Sequence, residues 1–258
     1  MSALRILAIA AVLAAAAFVA YELIEQPANQ IFGRTLTHGP AGERVVALTY
    51  DDGPNPPYTS RILDVLEKEH VRATFFLVGR AAAAYPDVVR REVRDGDAVG
   101  NHSWNHSHLI VYTPSAVAAD LARTDAAIYA AAGVHARLFR PPFGARDWIV
   151  MQAAKKLGYT VVMWSDPLPR DWEYPSAGQI AQRVLKVAGD GTIVVLHDGN
   201  RGQLCARAGL NLHVCDRSAD IGATRLVIDE LKKRGFRFVT IPELIAAGST
   251  HRRGRVVR

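Results

Sequence analysis

Short apolar runs alternate with longer helical stretches along most of this chain, and this alternation restricts the possible folds more than any other feature. Strands that alternate with helices of this length indicate βα units and a parallel sheet. Seven apolar runs are compatible with a closed or nearly closed barrel and with a doubly wound sheet, and counting does not separate these two α/β folds. The predicted strands cover residues 45–48, 73–78, 98–100, 138–139, 160–164, 192–196 and 237–240, and the predicted helices include 59–68, 86–94, 114–132, 146–157, 177–187 and 219–234.

The body of the chain has the composition of one folded domain. Its 258 residues match the size at which α/β barrels fold as a single unit, and 49% apolar residues can form a sizeable core. The net charge of +6 is moderate, and no stripe of interleaved basic and aromatic residues is present, which excludes nucleic acid as a partner. We predict a linker at 25–43, one domain at 44–248 and a solvated basic tail at 249–258.

An uncharged apolar run at 6–21 follows Arg5 and ends before Glu22. It is longer than the core of a typical signal peptide and slightly shorter than the ~20 residues that comfortably span a bilayer. Because apolar neighbours can extend the run, we predict an uncleaved membrane anchor at 1–24 in preference to a cleaved signal peptide. The nearby basic residue precedes the span, so we expect a cytoplasmic amino terminus and an exported body.

Cys205 and Cys215 fit an oxidising compartment. We predict a disulfide between them in preference to two free thiols, and their spacing does not suggest a zinc site. The segment around them, 199–219, either borders a substrate groove or forms a peripheral loop, and the residues leave both interpretations open.

Polar groups follow several predicted strands, and parallel strands would gather them at one rim, where α/β folds place their chemistry. The adjacent carboxylates Asp51 and Asp52 follow the first strand, and such a pair is most easily tolerated with a cation or a proton between them. His102 and His106 have the spacing that places two imidazoles on one face of a helical turn, and with one carboxylate they form a metal-ligand set. His108 is a weaker candidate, because its spacing from His106 is that of a strand.

These motifs resemble those of the polysaccharide deacetylases with the NodB homology domain, carbohydrate esterase family 4. The resemblance extends over residues 44–247, and the motifs occur in the family's order. It implies a distorted (β/α) barrel, usually with seven strands. The motifs are Thr-Tyr-Asp-Asp-Gly-Pro at 49–54, His-Ser-Trp-Asn-His at 102–106, Arg-Pro-Pro-Phe-Gly at 140–144, Asp171-Trp172 and Leu196-His197-Asp198.

The resemblance implies a divalent metal ion bound by Asp52, His102 and His106. Zinc is common in this family, and cobalt or another divalent ion is the alternative. The resemblance also implies that Asp51 is the general base and that Arg140 holds its carboxylate by charge-assisted hydrogen bonds.

The resemblance assigns further residues to the other parts of the reaction. The peptide N–H of Phe143 would stabilise the oxyanion. His197 would be the general acid, with its pKa raised by Asp171. Trp172 and Leu196 would form a small apolar pocket for the acetyl methyl group.

The chain departs from the family in the segment between Trp164 and Asp171, which is one residue longer than in many members. The insertion makes Asp166 an alternative partner for His197. We prefer Asp171 because Trp172 follows it.

Together these features predict an exported, membrane-anchored and metal-dependent hydrolase that removes N-acetyl groups from a polysaccharide, peptidoglycan or another envelope glycan. An O-acetyl polysaccharide esterase, which would use the same metal site, is the alternative within the family. A catalytically silent glycan-binding relative is the rival from another class, and the base, the arginine and the acid argue against it. The export segment disfavours a cytosolic nucleoside or amide hydrolase.

Overall fold

All seven predicted strands are present in the computed structural model, which describes residues 3–165, 167–205 and 213–255. They are β1 (Val45–Asp51), β2 (Thr74–Leu77), β3 (Ala98–Asn101), β4 (Leu138–Phe139), β5 (Thr160–Val161), β6 (Thr192–His197) and β7 (Arg237–Phe238). The strands are parallel and follow the order β5-β4-β3-β2-β1-β6, and β7 pairs with the start of β1. Among the described residues no ladder joins β5 to β6, so the α/β barrel is an open one.

The helices pack around this sheet, and their capping follows the sequence closely. The helix predicted at 114–132 is capped by the side chain of Thr113, which accepts a hydrogen bond from the N–H of Ala116 at 3.3 Å. Gly133 ends the same helix with a left-handed φ of 71°. The helices are α1 (Ala3–Glu25), α2 (Tyr58–Lys68), α3 (Gly79–Ala84), α4 (Pro86–Arg94), α5 (Pro114–Ala132), α6 (Trp148–Lys156), α7 (Ala177–Val187), α8 (Ser218–Lys233) and α9 (Ile241–Arg255).

Two of these helices, α3 and α9, were not among those predicted. α9 continues to Arg255, so the first part of the predicted basic tail belongs to a helix.

Alternation along the strands divides the core into two layers, because residues two apart share a face of a strand. Val46, Leu48 and Tyr50 of β1 pack against the surrounding helices in the largest apolar cluster. Val45 and Ala47 pack in a separate cluster with residues of other strands. Asp51 continues this second set, so the pattern of β1 directs its carboxylate towards the inside of the barrel.

The segment predicted as a linker at 25–43 fills the gap between β5 and β6. The N–H of Leu36 donates to the carbonyl of Val161 at 2.8 Å, and the carbonyl of Leu36 accepts from Met163 at 2.8 Å. His38 forms an antiparallel bridge with Thr192. β5 is shorter than the predicted run. Leu36 bridges Val162, the residue after β5, so this part of the segment belongs to the barrel.

α1 is the one helix in the described ranges that is long and apolar enough to cross a membrane. Its residues 5–25 have a mean hydropathy of 2.3, and its large apolar side chains, such as Leu7 and Val12, are exposed. A signal sequence near the amino terminus also satisfies this criterion of length and composition.

Candidate active site

Asp51, the last residue of β1, is held by a buried arginine. Arg140 donates from Nη1 to the Asp51 carboxylate at 2.6 Å and to the hydroxyl of Thr49 at 2.8 Å. Its other donors bind the carbonyls of Val162 at 3.2 Å and Met163 at 2.9 Å. The guanidinium is fully buried, and with these four bonds it fixes both its own position and that of the carboxylate.

Asp52 leaves the strand in a different direction, because its backbone is left-handed with a φ of 80°. Its Oδ1 lies 3.1 Å from Nε2 of His106 and 3.5 Å from Nε2 of His102. Its Oδ2 accepts a hydrogen bond from the peptide N–H of Arg201 at 2.7 Å. Burial alone would raise the pKa of Asp52, but His106, His102 and His197 together outweigh burial and hold the pKa below its ordinary value.

The two histidines meet through a bend, and the helical turn predicted from their spacing is wrong. Beyond β3 the chain turns at Ser103 and His106, whose φ angles are 64° and 56°. Nδ1 of His102 lies 2.7 Å from the carbonyl of Arg140, which leaves Nε2 free to face Asp52. Burial lowers the pKa of His106 to about 3, against the opposing charge of Asp52, so its imidazole is neutral.

These three residues fit a divalent metal ion. Their ligand atoms all lie within 4.8 Å of one another, and all three side chains are buried. Oδ1 of Asp52 is buried without a hydrogen-bond partner among the described residues, as expected of an oxygen that awaits a cation. Neutral imidazoles with a carboxylate are a donor set typical of catalytic zinc, with positions left for water and substrate.

Phe143 lies beside this set in a short 3-10 turn and has a left-handed φ of 61°. Its ring contacts His106 edge-on, with ring centres 4.5 Å apart. The ring of His108 stacks on the same phenyl ring at 3.8 Å, so the weaker histidine candidate packs next to the predicted ligands without joining them.

His197, the predicted acid, is the register partner of Asp51 on the neighbouring strand. Its Nδ1 lies 3.0 Å from both carboxylate oxygens of Asp171, and its peptide N–H donates to Asp171 at 2.7 Å. Burial alone would lower the pKa of His197, but the charge and hydrogen bonds of Asp171 raise it to about 9. Asp171 is therefore the partner of His197 in this structure, while the alternative, Asp166, lies outside the described residues.

Asp171 also contacts the carboxyl group of Asp220, a residue that was not among the predicted site residues. The side chain of Asp220, in the first turn of α8, interacts with Asp171 and contributes to lowering the pKa of Asp171. Burial and the charge of Asp171 raise the pKa of Asp220 well above its ordinary value, so Asp220 is the protonated donor of the pair. Nη1 of Arg217 lies 3.9 Å from Asp220, and its Nε donates to the carbonyl of Gly199 at 2.7 Å. A carboxylate in the first turn of a helix is common, so no sequence signal distinguished Asp220.

Two glycines allow the loops that follow β1 and β6 to pack in direct contact with each other. A Cβ at Gly53 would lie 1.9 Å from the carboxylate of Asp198, and a Cβ at Gly199 would lie 2.3 Å from the carbonyl of Asp52. Asp198 also accepts a hydrogen bond from the hydroxyl of Thr59. The loops that carry Asp52 and His197 are thus positioned against each other by direct contact.

Seven of the ten predicted site residues line one cavity of about 610 Å³. Trp172 borders it, 38% exposed, with its ring 5.6 Å from the ring of His197 in an edge-on contact. The segment that contains the disulfide also borders it, through Gln203 and Val214, which resolves the alternative left open by the sequence. The disulfide itself is present as predicted, with 6.2 Å between the two Cα atoms. The lining includes Asp51, Asp52, His102, His106, Phe143, Trp172 and His197, together with Trp164, Leu168, Tyr174, Val195 and Arg201.

Leu196 does not line this cavity, and its predicted place in the acetyl pocket needs correction. It lies on the face of β6 that packs against the helices, together with Val194. Val195 and His197 alternate with these residues and border the cavity. Of these two neighbouring residues, Val195 is the one that lines the cavity.

Comparison with known proteins gives a consistent result. A family model described as polysaccharide deacetylase matches residues 38–162. A peptidoglycan-N-acetylglucosamine deacetylase of Bacillus cereus is 36% identical over 208 residues, which are 80% of this chain and 90% of the relative. A solved structure of a peptidoglycan N-acetylglucosamine deacetylase is 29% identical with a TM-score of 0.73, over 81% of this chain and 92% of the other.

A pseudoenzyme of carbohydrate esterase family 4 from Bacillus anthracis has nearly the same similarity, with 28% identity and a TM-score of 0.72 over 83% of this chain and 69% of the other. The fold alone is thus shared by active and inactive proteins, and the residues of the site carry the distinction. The sequence match over four-fifths of the chain, taken with the motifs gathered around the cavity, shows that the chain belongs to the polysaccharide deacetylases with the NodB homology domain, a family of hydrolases.

Proposed function

We propose that this protein is a metal-dependent deacetylase that removes N-acetyl groups from sugar units of an envelope glycan, with peptidoglycan as the first candidate. One observation carries the proposal: a fixed carboxylate, Asp51, and an imidazole paired with Asp171, that of His197, face one cavity from neighbouring strands, next to a buried metal-ligand set. The two similar deacetylases named above act on N-acetylglucosamine of peptidoglycan, which supports the choice of substrate.

In this proposal Asp52, His102 and His106 hold the divalent ion, most simply zinc. When bound, such an ion polarises the acetyl carbonyl and acidifies water. Asp51 accepts the proton of the attacking water, and Arg140 keeps the carboxylate in position through its 2.6 Å bond.

The remaining residues act on the acetyl group and on the leaving nitrogen. The peptide N–H of Phe143 donates to the carbonyl oxygen as negative charge develops there. His197 gives its proton to the nitrogen when the amide bond breaks, and Asp171 holds His197 in the protonated form. Trp172 and Val195 provide apolar contacts for the methyl group.

The pKa of His197 favours the amide substrate over the O-acetyl alternative. An amine leaves only after it is protonated, whereas an alkoxide requires less help from an acid. An imidazole whose pKa is raised to about 9 carries its proton at neutral pH, as amide cleavage needs. Asp51, Arg140 and His197 together also argue against a silent binding protein, because binding alone requires neither base nor acid.

The apolar helix α1 and the Cys205–Cys215 disulfide support a location outside the cytoplasm, with α1 as the membrane anchor. A cleaved α1 would instead give a secreted enzyme.

Acetate release from N-acetylated and O-acetylated glycans by the purified full-length protein tests the proposal. We expect release from N-acetylglucosamine polymers that stops with a chelator and returns with zinc, and that falls by about 10³-fold in Asp51→Asn and His197→Ala. The absence of release by the zinc-loaded protein from every N-acetylated glycan would contradict the proposal. Full activity of Asp51→Asn would remove that residue from its assigned role.

A further inference from the structure

The last turn of α1 forms part of the wall of the candidate active site. Tyr21 and Glu25 line the same cavity as Asp51 and His197. The carbonyl of Glu25 lies so close to Gly144 that a Cβ there would be 3.0 Å from it. The helix with the composition of a membrane span is therefore also a component of the substrate cavity.

A buried arginine fastens this end of α1 to the barrel. Arg146 is 1% exposed and donates to the carbonyls of Gln26 and Asn29, both at 2.6 Å, and of Pro27 at 3.3 Å. It also reaches the carbonyl of Ile24, from its side chain at 3.4 Å and from its peptide N–H at 3.2 Å. A cation at the carboxyl end of a helix is also favoured by the helix dipole.

Beyond this attachment, α1 projects into solvent. Its residues 5–25 have a length of roughly 31 Å at 1.5 Å per residue, close to the thickness of the bilayer core. Large apolar side chains such as Leu7, Val12 and Phe18 are 63–68% exposed along it. If α1 spans the bilayer, Tyr21 and Glu25 lie at the membrane–water interface, where tyrosine is enriched.

An apolar collar, defined as Ile31, Phe32 and Trp148, lies next to the attachment. Ile31 is 53% exposed and Trp148 is 57% exposed, and the rings of Phe32 and Trp148 meet edge-on at 5.8 Å. Exposed tryptophan beside the end of a membrane span is typical of the interfacial belt of membrane proteins.

The chain between α1 and the barrel is bound at both ends. Arg146 holds its first residues, Gln30 and Thr35 bond to each other at 2.9 Å and 2.7 Å, and Leu36 is already paired with β5. The cavity therefore has a short, fixed distance from the bilayer rather than the range that a flexible tether would give it.

From this geometry we propose that the cavity lies at the membrane surface and that its substrate is an N-acetylated saccharide still attached to a membrane lipid. The inference rests on the deacetylase function proposed above. Finished wall polymer, held away from the bilayer, would reach a cavity whose wall is the end of the membrane anchor less readily than a lipid-linked saccharide would.

The test uses the full-length protein in phosphatidylcholine vesicles and three probes: free tetra-N-acetylchitotetraose, the same saccharide joined to a dialkyl lipid in the vesicles, and chitin beads. The comparison variant carries a flexible Gly-Ser segment of about 20 residues between Glu25 and Gln26, with a reach of roughly 25 Å. This insertion keeps the Arg146 bonds to Gln26 and Asn29 within the barrel. Arg146→Gln is a second variant that loosens the attachment without lengthening the chain.

We expect the unaltered protein to release acetate from the lipid-linked saccharide about tenfold faster than from the beads, and the insertion to narrow this ratio severalfold. The rate on the free saccharide measures how far detaching Tyr21 and Glu25 from the cavity changes the reaction itself, and the ratio is independent of that change. Arg146→Gln should change the ratio in the same direction. Equal action of the unaltered and lengthened proteins on beads and lipid would overturn the inference while leaving the deacetylase function intact. No release from any probe, including the free saccharide, would overturn both.

Discussion

His106 and His197 border the same cavity, but their surroundings shift their pKa values in opposite directions. Burial lowers the pKa of His106 to about 3, and the nearby charge of Asp52 does not compensate. His197 is half-buried, and its contact with Asp171 raises its pKa to about 9. The first imidazole is neutral at pH 7, and the second is charged.

The difference lies in how each neighbouring carboxylate is occupied. Asp52 approaches two imidazoles and one peptide N–H, and its Oδ1 is left without a hydrogen bond. Asp171 receives two donors from His197 and is supported by Asp220. Asp52 is arranged to bind a metal cation from solution, whereas Asp171 is paired with a cation of the protein itself, the imidazolium of His197.

Among the changes that test this contrast between the two histidines, loss of a metal ligand should reduce kcat/KM the most. In His106→Ala we expect the bound zinc per chain to fall well below one and kcat/KM to fall by about 10³-fold, because metal ions contribute several kcal/mol of transition-state stabilisation. Metal analysis and acetate release measure the two quantities. His108→Ala is the matched control, since His108 stacks on Phe143 outside the ligand set and should keep its metal. Loss of zinc from His108→Ala but not from His106→Ala would reverse the assignment of the ligand.

A change beside His197, the proposed acid, should alter the pH dependence of kcat/KM and leave the bound metal unchanged. His197 has a folded pKa of about 9 against an ordinary value of 6.5, so the proton is held at neutral pH and lost as the pH rises through 9. In Asp171→Asn the raising charge is gone while burial remains, so the alkaline limb of kcat/KM should move to lower pH and the rate should fall by about 10²-fold.

The surface pair Asp125 and His135, 2.7 Å apart, offers the control for this change. Asp125→Asn removes the carboxylate from a histidine outside the cavity and should leave the pH profile of kcat/KM unchanged. An alkaline limb that stays in place in Asp171→Asn would separate His197 from the acid role.

Much of the fold could be predicted because strand and helix periodicities are local. The bounds of Leu138–Phe139 and Pro114–Ala132 were predicted to the residue, since apolar runs and capping residues mark them. The predicted run at 160–164 is longer than β5, and beyond Val161 the chain bridges Leu36, which is distant in sequence. A tertiary contact of this kind leaves no local pattern.

The candidate site shows the same limit. His102 and His106 were identified, but the reason was wrong, because left-handed residues at Ser103 and His106 bring the imidazoles together without a helix. The alternation of β6 places Leu196 and His197 on opposite faces of the strand, so the two residues cannot both face the cavity. Nothing in the spacing of Asp220 indicated its contact with Asp171, because the chain folds back between them.

Substitution of Asp220 should reduce kcat/KM the least, and it tests whether the contact of Asp220 with Asp171 contributes to the acid role of His197. The protonated Asp220 carboxyl donates to Asp171, and an asparagine amide can donate in the same place. We therefore expect Asp220→Asn to keep most of the activity. Asp220→Ala removes the donor and leaves Arg217 buried without its acidic neighbour, so kcat/KM should fall by about tenfold.

A pH profile distinguishes this positioning role from a loss of stability. If Asp220 acts through Asp171, the alanine variant should displace the alkaline limb of kcat/KM, by less than Asp171→Asn does, and the asparagine variant should restore it. Asp229→Ala, an exposed aspartate on the same helix, is the control and should leave both rate and profile unchanged. A lower unfolding temperature in Asp220→Ala with an unmoved limb would mean that Asp220 supports the helix and not the acid, and the contrast between the two histidines would then depend on Asp171 alone.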